Sequence, residues 1–394
     1  MDFSDPSADF RREVSEWLDR ELSSELQDEF VRDTAYLRVP MSWSPRIVDF
    51  NRKLGSKGWI GLHWPKQYGG GGRTLRDQLV VVEELGARYS RIINSQALHA
   101  VNTLLVHGTE EQKMEVIPRV AKGEIEISLG YTESNAGSDL ANVQVRAVEH
   151  NDHFVISGEK IFNTMAHWAS YHWLLARTDP AAQPKHRGLT MFLVDLKTPG
   201  ITVRPMKAID DSRTNMVHYD NVKVPKDRIV GQKNRGFYIA MDALGQERLF
   251  VFNPRLYRSL FEELVAYARN ARQDGRILAK SEVVRQAFAE LDTKLDVATL
   301  LYERVLSLIE AGRPIASEVA MFKLFVTEVA QQLMRQITDL VGRTALLSPE
   351  SPCSIVHGLI ALGQQATIFH TFGAGNSELM RNIIAIRGYD LPGE

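Results

Sequence analysis

The sequence has a single cysteine, Cys353, among 394 residues. No internal disulfide can form, and the thiol is read as a small packing residue. The opening MDFSDPSADF lacks a basic segment followed by an apolar run, so a reducing cytoplasm is the expected compartment. No stretch approaches the roughly 20 continuous apolar residues that span a bilayer, because charged residues interrupt every candidate. Neither sign of charge is in excess: 47 Lys and Arg against 49 Asp and Glu leave a formal net charge of -2, which recommends neither nucleic acid nor an anionic membrane as partner. HExxH and CxxC are absent, and His167 and His172 lack ligand spacing, so no metal is expected. Gly373-Ala374-Gly375 lacks the third glycine of a dinucleotide fingerprint and follows a helix-like stretch, Leu362–Phe369. The Gly69–Gly72 run lacks the Gly-Lys-Ser/Thr ending of a phosphate loop and reads as a flexible turn.

What remains is a chain with 44% apolar residues, long enough for a large core and for two or three domains. Three textures follow one another. Residues 1–123 read as a helical domain: Phe10, Val14, Trp17, Leu18 and Leu22 recur at helical spacing, with turns at Trp64-Pro65 and Gly69–Gly72. Thr109-Glu110-Glu111-Gln112 has capping-box spacing and predicts a helix start, with an end near Lys122-Gly123. Residues 124–230 carry short β-favouring runs, His153–Ile156, Tyr171–Ala176, Leu189–Val194, Ile201–Val203 and Met216–Val224, and read as a small β domain. Residues 231–394 return to helical period, with Val284, Phe288, Leu291, Leu295, Ala298 and Val305 on one face of a long helix. The order is α+β, not alternating βαβ units.

The segment Tyr131–Asp139, YTESNAGSD, closely resembles the flavin-binding signature of the acyl-CoA dehydrogenase family. Further stretches look like family landmarks in the same order: Glu159–His167, Phe192–Asp195 with Gly200–Met206, Asn221–Gly231, Ala243–Leu249 and Gly375–Ala385. Together they span nearly the whole chain. The resemblance implies the family fold of N-terminal helical domain, central small β domain and C-terminal four-helix bundle, with FAD as cofactor. It places Leu129, Tyr131, Thr132 and Gly137 at the flavin, Ser138 near pyrophosphate and substrate, and Phe162 and Thr164 against the ring. Gly342, Asn376 and Glu378 are its candidates for the remaining cofactor contacts. The residue types suit the task, because a flavin needs donors and acceptors at its ring edge and hydroxyls or N–H groups at its pyrophosphate. Three departures stand out. Phe162 replaces a frequent tryptophan, Arg343 stands where glycine is common, and the usual Arg-x-x-Phe-Gly run is missing around Ala271–Gly275.

Dehydrogenation at the α and β carbons of a thioester requires a carboxylate to take the α proton. In many family members it lies on a C-terminal loop, at the position of Ala374, which cannot accept a proton. Isovaleryl- and long-chain-type members instead carry the glutamate on a bundle helix before an arginine, and Glu247-Arg248 stands there. The resemblance therefore implies Glu247 as the base, Arg248 as a contact to CoA or to a neighbouring loop, and the Ala374-Gly375 backbone at the thioester carbonyl. Pro254 should kink the same helix, and with Phe250 and Phe252 would reshape an acyl pocket toward bulky substrates.

The function implied is oxidation of an acyl-CoA to the 2-enoyl-CoA, with electrons passed to an electron-transfer flavoprotein, by a homo-oligomer or an α2β2 heterotetramer. It most resembles a bacterial subgroup that includes steroid side-chain dehydrogenases. Two alternatives stay open: a non-catalytic partner subunit, and a flavin monooxygenase on the same fold. A carrier-protein thioester also remains possible in place of CoA.

Overall fold

The computed structural model describes residues 7–33, 35, 43–88, 95–273 and 275–393. The chain divides into two compact units, one of Met1–Arg38, Leu79–Arg91 and Arg248–Glu394, the other of Val39–Gln78 and Ile92–Glu247. In chain order the first helices are α1 (Ala8–Glu21), α2 (Ser24–Asp33), α3 (Pro45–Ser56), α4 (Leu75–Gly86), α5 (Ser95–His107) and α6 (Glu110–Ala121). The helical texture of the first 123 residues is thus realised, but its helices serve both units. α1 and α2 belong to the first, α3, α5 and α6 to the second, and α4 crosses from one to the other. An apolar stripe specifies that a helix will be covered, not which element covers it.

The expected start of α6 is present in full. The Thr109 hydroxyl accepts from the Gln112 N–H at 3.3 Å, and the Gln112 side chain accepts from the Thr109 N–H at 3.2 Å. Gln112 does more than cap. Its amide donates to the carbonyls of Asp227 at 2.6 Å and Ile229 at 2.8 Å, fastening the helix start to a distant strand. The helix ends at Lys122, followed by Gly123 at φ +68°.

The β region comprises β1 (Ile127–Gly130), β2 (Arg146–Glu149), β3 (His153–Lys160), β4 (Tyr171–Arg177), β5 (Leu189–Asp195), β6 (Ile201–Lys207), β7 (Arg213–Pro225) and β8 (Ile229–Val230). They form one sheet in the order β6-β7-β3-β2-β4-β5-β8, with β1 pairing parallel to β4. All five β-favouring runs of the sequence are strands, while β1, β2 and β8 are too short to leave a period. β4 is buried throughout and β5 in all but Asp195, as expected of strands whose two faces are both covered. Phe154, Ile156, Leu174, Phe192, Val217 and Tyr219 fill the core on this sheet.

The C-terminal helices are α7 (Gly236–Val251), α8 (Arg255–Asn270), α9 (Glu282–Glu310), α10 (Ala316–Val341), α11 (Leu359–His370) and α12 (Ser377–Gly388). A small hairpin, β9 (Arg272–Gln273) with β10 (Arg276–Ile277), separates α8 from α9. α10 packs against α9, α11 and α12, and α8 against α9. Val284, Leu291, Leu295, Ala298 and Val305 of the α9 stripe are buried.

Three expectations need correction. The kink at Pro254 is a full break: α7 stops at Val251 and Pro254 is the cap of α8, with the Asn253 carboxamide accepting from the Arg255 N–H at 2.8 Å. Phe250 and Phe252 are buried, and Phe252 sits edge-on to His370 within its own unit. Cys353 is exposed, because it falls in an irregular stretch of turns where no helix or strand carries it inward. The Gly69–Gly72 run is a packed turn and not a loose one. A Cβ on Gly70 would lie 2.2 Å from the Trp64 carbonyl oxygen, and Gly72 N–H donates to that same oxygen at 2.9 Å.

One buried ion pair fixes the loop between β1 and β2. Lys160, at the end of β3, is fully buried and donates to Glu133 at 2.8 Å and to the Tyr131 carbonyl at 2.9 Å. Glu133 also accepts from the N–H groups of Gln144 at 2.7 Å and Val145 at 2.9 Å. Burial pushes the Lys160 ammonium down to about 8, with Glu133 opposing the shift.

Two stability outcomes follow. Thr109→Ala should lower stability by about 1 kcal/mol, and Gln112→Ala by more, since it also abandons the carbonyls of Asp227 and Ile229; paired thermal melts give the ranking. Lys160→Met leaves a buried carboxylate without its cation and should cost roughly 3–5 kcal/mol, measured by denaturant unfolding.

Candidate functional site

In the second unit, four hydrogen bonds hold the segment 128–132 beside 160–164. The Ile161 N–H donates to the Thr132 carbonyl at 2.9 Å, the Asn163 amide to the Leu129 carbonyl at 3.1 Å, and the Ser128 hydroxyl to the Thr164 carbonyl at 2.6 Å. Lys160 adds its bond to the Tyr131 carbonyl. Thr132 and Thr164 therefore stand on adjoining stretches of chain, both half-buried. Leu129 and Tyr131 are buried behind them. Gly137 and Ser138 are exposed on the turn that follows, where a Cβ on Gly137 would meet nothing within 4 Å. Among the described residues, no hydrogen bond engages the N–H groups of Thr132, Gly137 or Thr164.

Phe162 is the oddity of this surface. It is a large ring left 58% exposed, on a backbone at φ +58°, and Met165 three residues on is also left-handed at φ +67°. Each such residue costs on the order of 1–3 kcal/mol and persists only where the surroundings enforce it. Asn163, between them, supplies that enforcement: its N–H donates to the Asn215 carbonyl at 2.8 Å, and the Asn215 amide returns a bond to the Asn163 carbonyl at 2.8 Å. An exposed aromatic ring beside two hydroxyls and unengaged N–H groups can take a flat ligand with a polar edge. His172 lies deeper, in β4, hydrogen-bonded to Tyr219, and burial drives its imidazole down to about 3, so it is neutral.

In the first unit a second cluster forms around the turn between α11 and α12. Ala374 and Gly375 have φ of +55° and +97°. Arg248, buried on α7, donates Nε to the Ala374 carbonyl at 3.1 Å. Lys323, fully buried on α10, donates to the carbonyls of Gly375 at 2.6 Å and Thr371 at 3.3 Å, and lies over the Phe252 ring at 5.4 Å from its centroid. Burial, helped by Arg248, pushes the Lys323 ammonium down to about 8. The Asn376 side chain accepts from the Leu379 N–H at 2.7 Å and so caps α12. Among the described residues, the N–H groups of Ala374 and Gly375 donate to nothing. A turn with two unengaged donors at a half-buried surface can polarise a carbonyl oxygen.

Glu247 lies on α7, while its side chain is outside the described residues. It is the last residue of the second unit, and the last segment of the other begins at Arg248. Glu378 is exposed in the first turn of α12, and Gly342 closes α10 at φ +76°. Arg343 is exposed beside it. Of the Ala271–Gly275 stretch, Arg272 and Gln273 form β9, and Arg272 donates to the Gly275 carbonyl at 3.0 Å.

The sequence reading missed three residues that shape these clusters. They are Glu133, Lys160 and Lys323, to which the sequence patterns above assign no role. The signal for Lys323 was available: it sits in AMFKLFV, inside a run otherwise apolar, where a solvated lysine has no face to occupy.

The comparisons with known proteins agree across the chain. Residues 4–124 match the family described as "Acyl-CoA dehydrogenase, N-terminal domain", residues 128–222 its middle domain and residues 234–389 its C-terminal domain. The acyl-CoA dehydrogenase FadE26 of Mycobacterium tuberculosis is 31% identical over 350 residues, 86% of either chain. Among solved structures, the Tcur3481-Tcur3483 steroid ACAD superposes with a TM-score of 0.90 at 30% identity, covering 100% of both chains. The ChsE4-ChsE5 complex of Mycobacterium tuberculosis superposes with a TM-score of 0.90 at 29% identity, again over 100% of both chains. With its three regions matched in order and its fold shared along its whole length, the chain belongs to the acyl-CoA dehydrogenase family, flavoprotein oxidoreductases that act on acyl-CoA.

Proposed function

We propose that this protein oxidises a bulky acyl-CoA, of the steroid side-chain or fatty acyl class, to its 2-enoyl-CoA, with Glu247 as the base and FAD as the hydride acceptor. The observation that carries the reading is the Ala374 turn: it offers two unengaged N–H donors and no carboxylate. The role of base then falls to a glutamate elsewhere, and Glu247 directly precedes the arginine that holds this turn.

Thr132, Ser138 and Thr164 supply hydroxyls for FAD, Phe162 a face for its ring, and Gly137 open backbone for its phosphates. When bound, FAD supplies the hydride acceptor for the β hydrogen. Glu247 takes the α proton onto a carboxylate oxygen, and the Ala374 N–H stabilises the negative charge that this places on the thioester oxygen. Arg248 orients the turn through the Ala374 carbonyl and takes no proton. Leu129, Tyr131, Gly342, Asn376 and Glu378 complete the proposed cofactor contacts, and Gly375 the substrate contacts. The steroid class is supported by the likeness to the steroid ACAD, and a paired-chain assembly by the likeness to a two-component complex. An electron-transfer flavoprotein is the proposed onward acceptor, and the domain limits 1–123, 124–230 and 231–394 are the proposed division.

A second reading, a partner subunit without a complete site, is favoured by the β9–β10 hairpin and by exposed Arg343, where the resemblance expects Arg-x-x-Phe-Gly and glycine. Flavin content separates the two.

Glu247→Gln should keep its flavin and lose acyl-CoA-dependent flavin reduction by roughly 100-fold or more; stopped-flow bleaching of the flavin band measures it, and undiminished reduction removes Glu247 as the base. Anaerobic titration of the purified chain with short, long, branched and steroid acyl-CoAs should bleach the flavin with the bulky class. A flavin-free, unresponsive chain would instead point to a missing partner subunit.

A further inference from the structure

Lys323 is an unusual buried cation. Its side chain is fully enclosed on α10, yet among the described residues no carboxylate lies within ion-pair distance of it. A buried ammonium is costly unless its protons are engaged. Its hydrogen bonds go to main-chain carbonyls, those of Thr371 and Gly375, four residues apart at the two ends of one turn. The Ser377 N–H donates to the same Thr371 oxygen at 3.0 Å, so that carbonyl is a junction between α11, α12 and α10. Arg248 takes the carbonyl between, that of Ala374. Two cations thus hold three carbonyls inward across five residues, and Ala374 is left-handed within that span. The N–H groups of Ala374 and Gly375 are the ones left unengaged.

We propose that Lys323 is a positioning residue: by clamping the Thr371 and Gly375 carbonyls from beneath, it fixes the turn so that the Ala374 N–H is held ready to polarise the substrate thioester carbonyl. The inference rests on the reading of Ala374 as the carbonyl-polarising donor. It assigns Lys323 no contact with substrate and no proton transfer. A lysine suits the task because one ammonium carries three donors on a compact head and can serve two oxygens at once. Holding donors in place before the charge develops is what makes them effective, and misplacement by about 1 Å is enough to lose much of the rate.

The test is made on flavin-loaded protein with the 2-enoyl-CoA product of whichever acyl-CoA bleaches the flavin, carrying carbon-13 at the thioester carbonyl. Isotope-edited infrared spectra report how far the bound carbonyl stretch moves down from its value in water. Wild-type protein should show a downshift. Lys323→Met, which keeps an unbranched side chain as far as the ε carbon and removes the donors, should lose most of that downshift and lower kcat by about tenfold or more, with KM nearly unchanged. Lys323→Gln, retaining two N–H donors, should recover part of both, and it carries the comparison if the methionine variant does not fold. A merely structural lysine would instead lower the melting temperature and flavin content and leave the carbonyl frequency of the folded fraction at the wild-type value; that result overturns the proposal. A wild-type complex with no downshift would overturn the reading of Ala374 itself, and the role of Lys323 with it.

Discussion

The burial of Lys160 is the constraint on which the loop between β1 and β2 depends. An ammonium with no exposed surface must have its protons taken by oxygen, and the oxygens available belong to Glu133 and Tyr131 on the loop after β1. Glu133 in turn must satisfy two backbone N–H groups at the start of β2. The loop cannot shift without stranding a charge, so Tyr131–Asp139 is held to one path across the end of β3. The hydroxyl of Thr132, the open backbone of Gly137 and the adjoining Phe162 segment all inherit their places from that requirement. Replacing such a pair by apolar residues often stabilises a protein, so its retention is better explained by the conformation it specifies than by the energy it supplies.

The same device recurs in the other unit with different partners. Lys323 and Arg248 also lie buried beside a turn that bears left-handed residues, but they address carbonyl oxygens without a carboxylate between them. Burial and the neighbouring Arg248 charge lower the affinity of Lys323 for its proton. Left-handed residues without side-chain necessity, Phe162 and Met165 in one unit and Ala374 in the other, occur in both places beside buried lysines. Strain and its enforcement are found together.

Much of this architecture was legible in the sequence. The five long strands, the α6 capping box and the α9 stripe each rest on local pattern, and local pattern was enough. The resemblance assigns Thr132 and Thr164 to one ligand, and the two do stand on adjoining stretches of chain. What escaped was whatever depends on contacts between distant stretches. β1, β2 and β8 are two to four residues long and become strands only through their partners. The break before α8 looked like a kink, since sequence shows that proline disrupts a helix but not how far the chain turns afterwards. Cys353 was misjudged for the converse reason: cysteine is usually inside, and nothing nearby announces the irregular surface stretch on which it falls. Lys160 and Glu133 carry no local sign of burial, because only the fold shows what surrounds a charged residue; Lys323 differs in standing inside an apolar run.

The clamp on the Ala374 turn also bears on how this protein can change over time. Every amino acid carries a carbonyl, so a grip on carbonyls is indifferent to the side chain displayed above it. Position 374 can exchange one small residue for another without disturbing the hold from Arg248 and Lys323, limited mainly by its left-handed backbone, which β-branched residues resist. Variation is therefore channelled: tolerated at the tip of the turn, and opposed at the two buried cations beneath it.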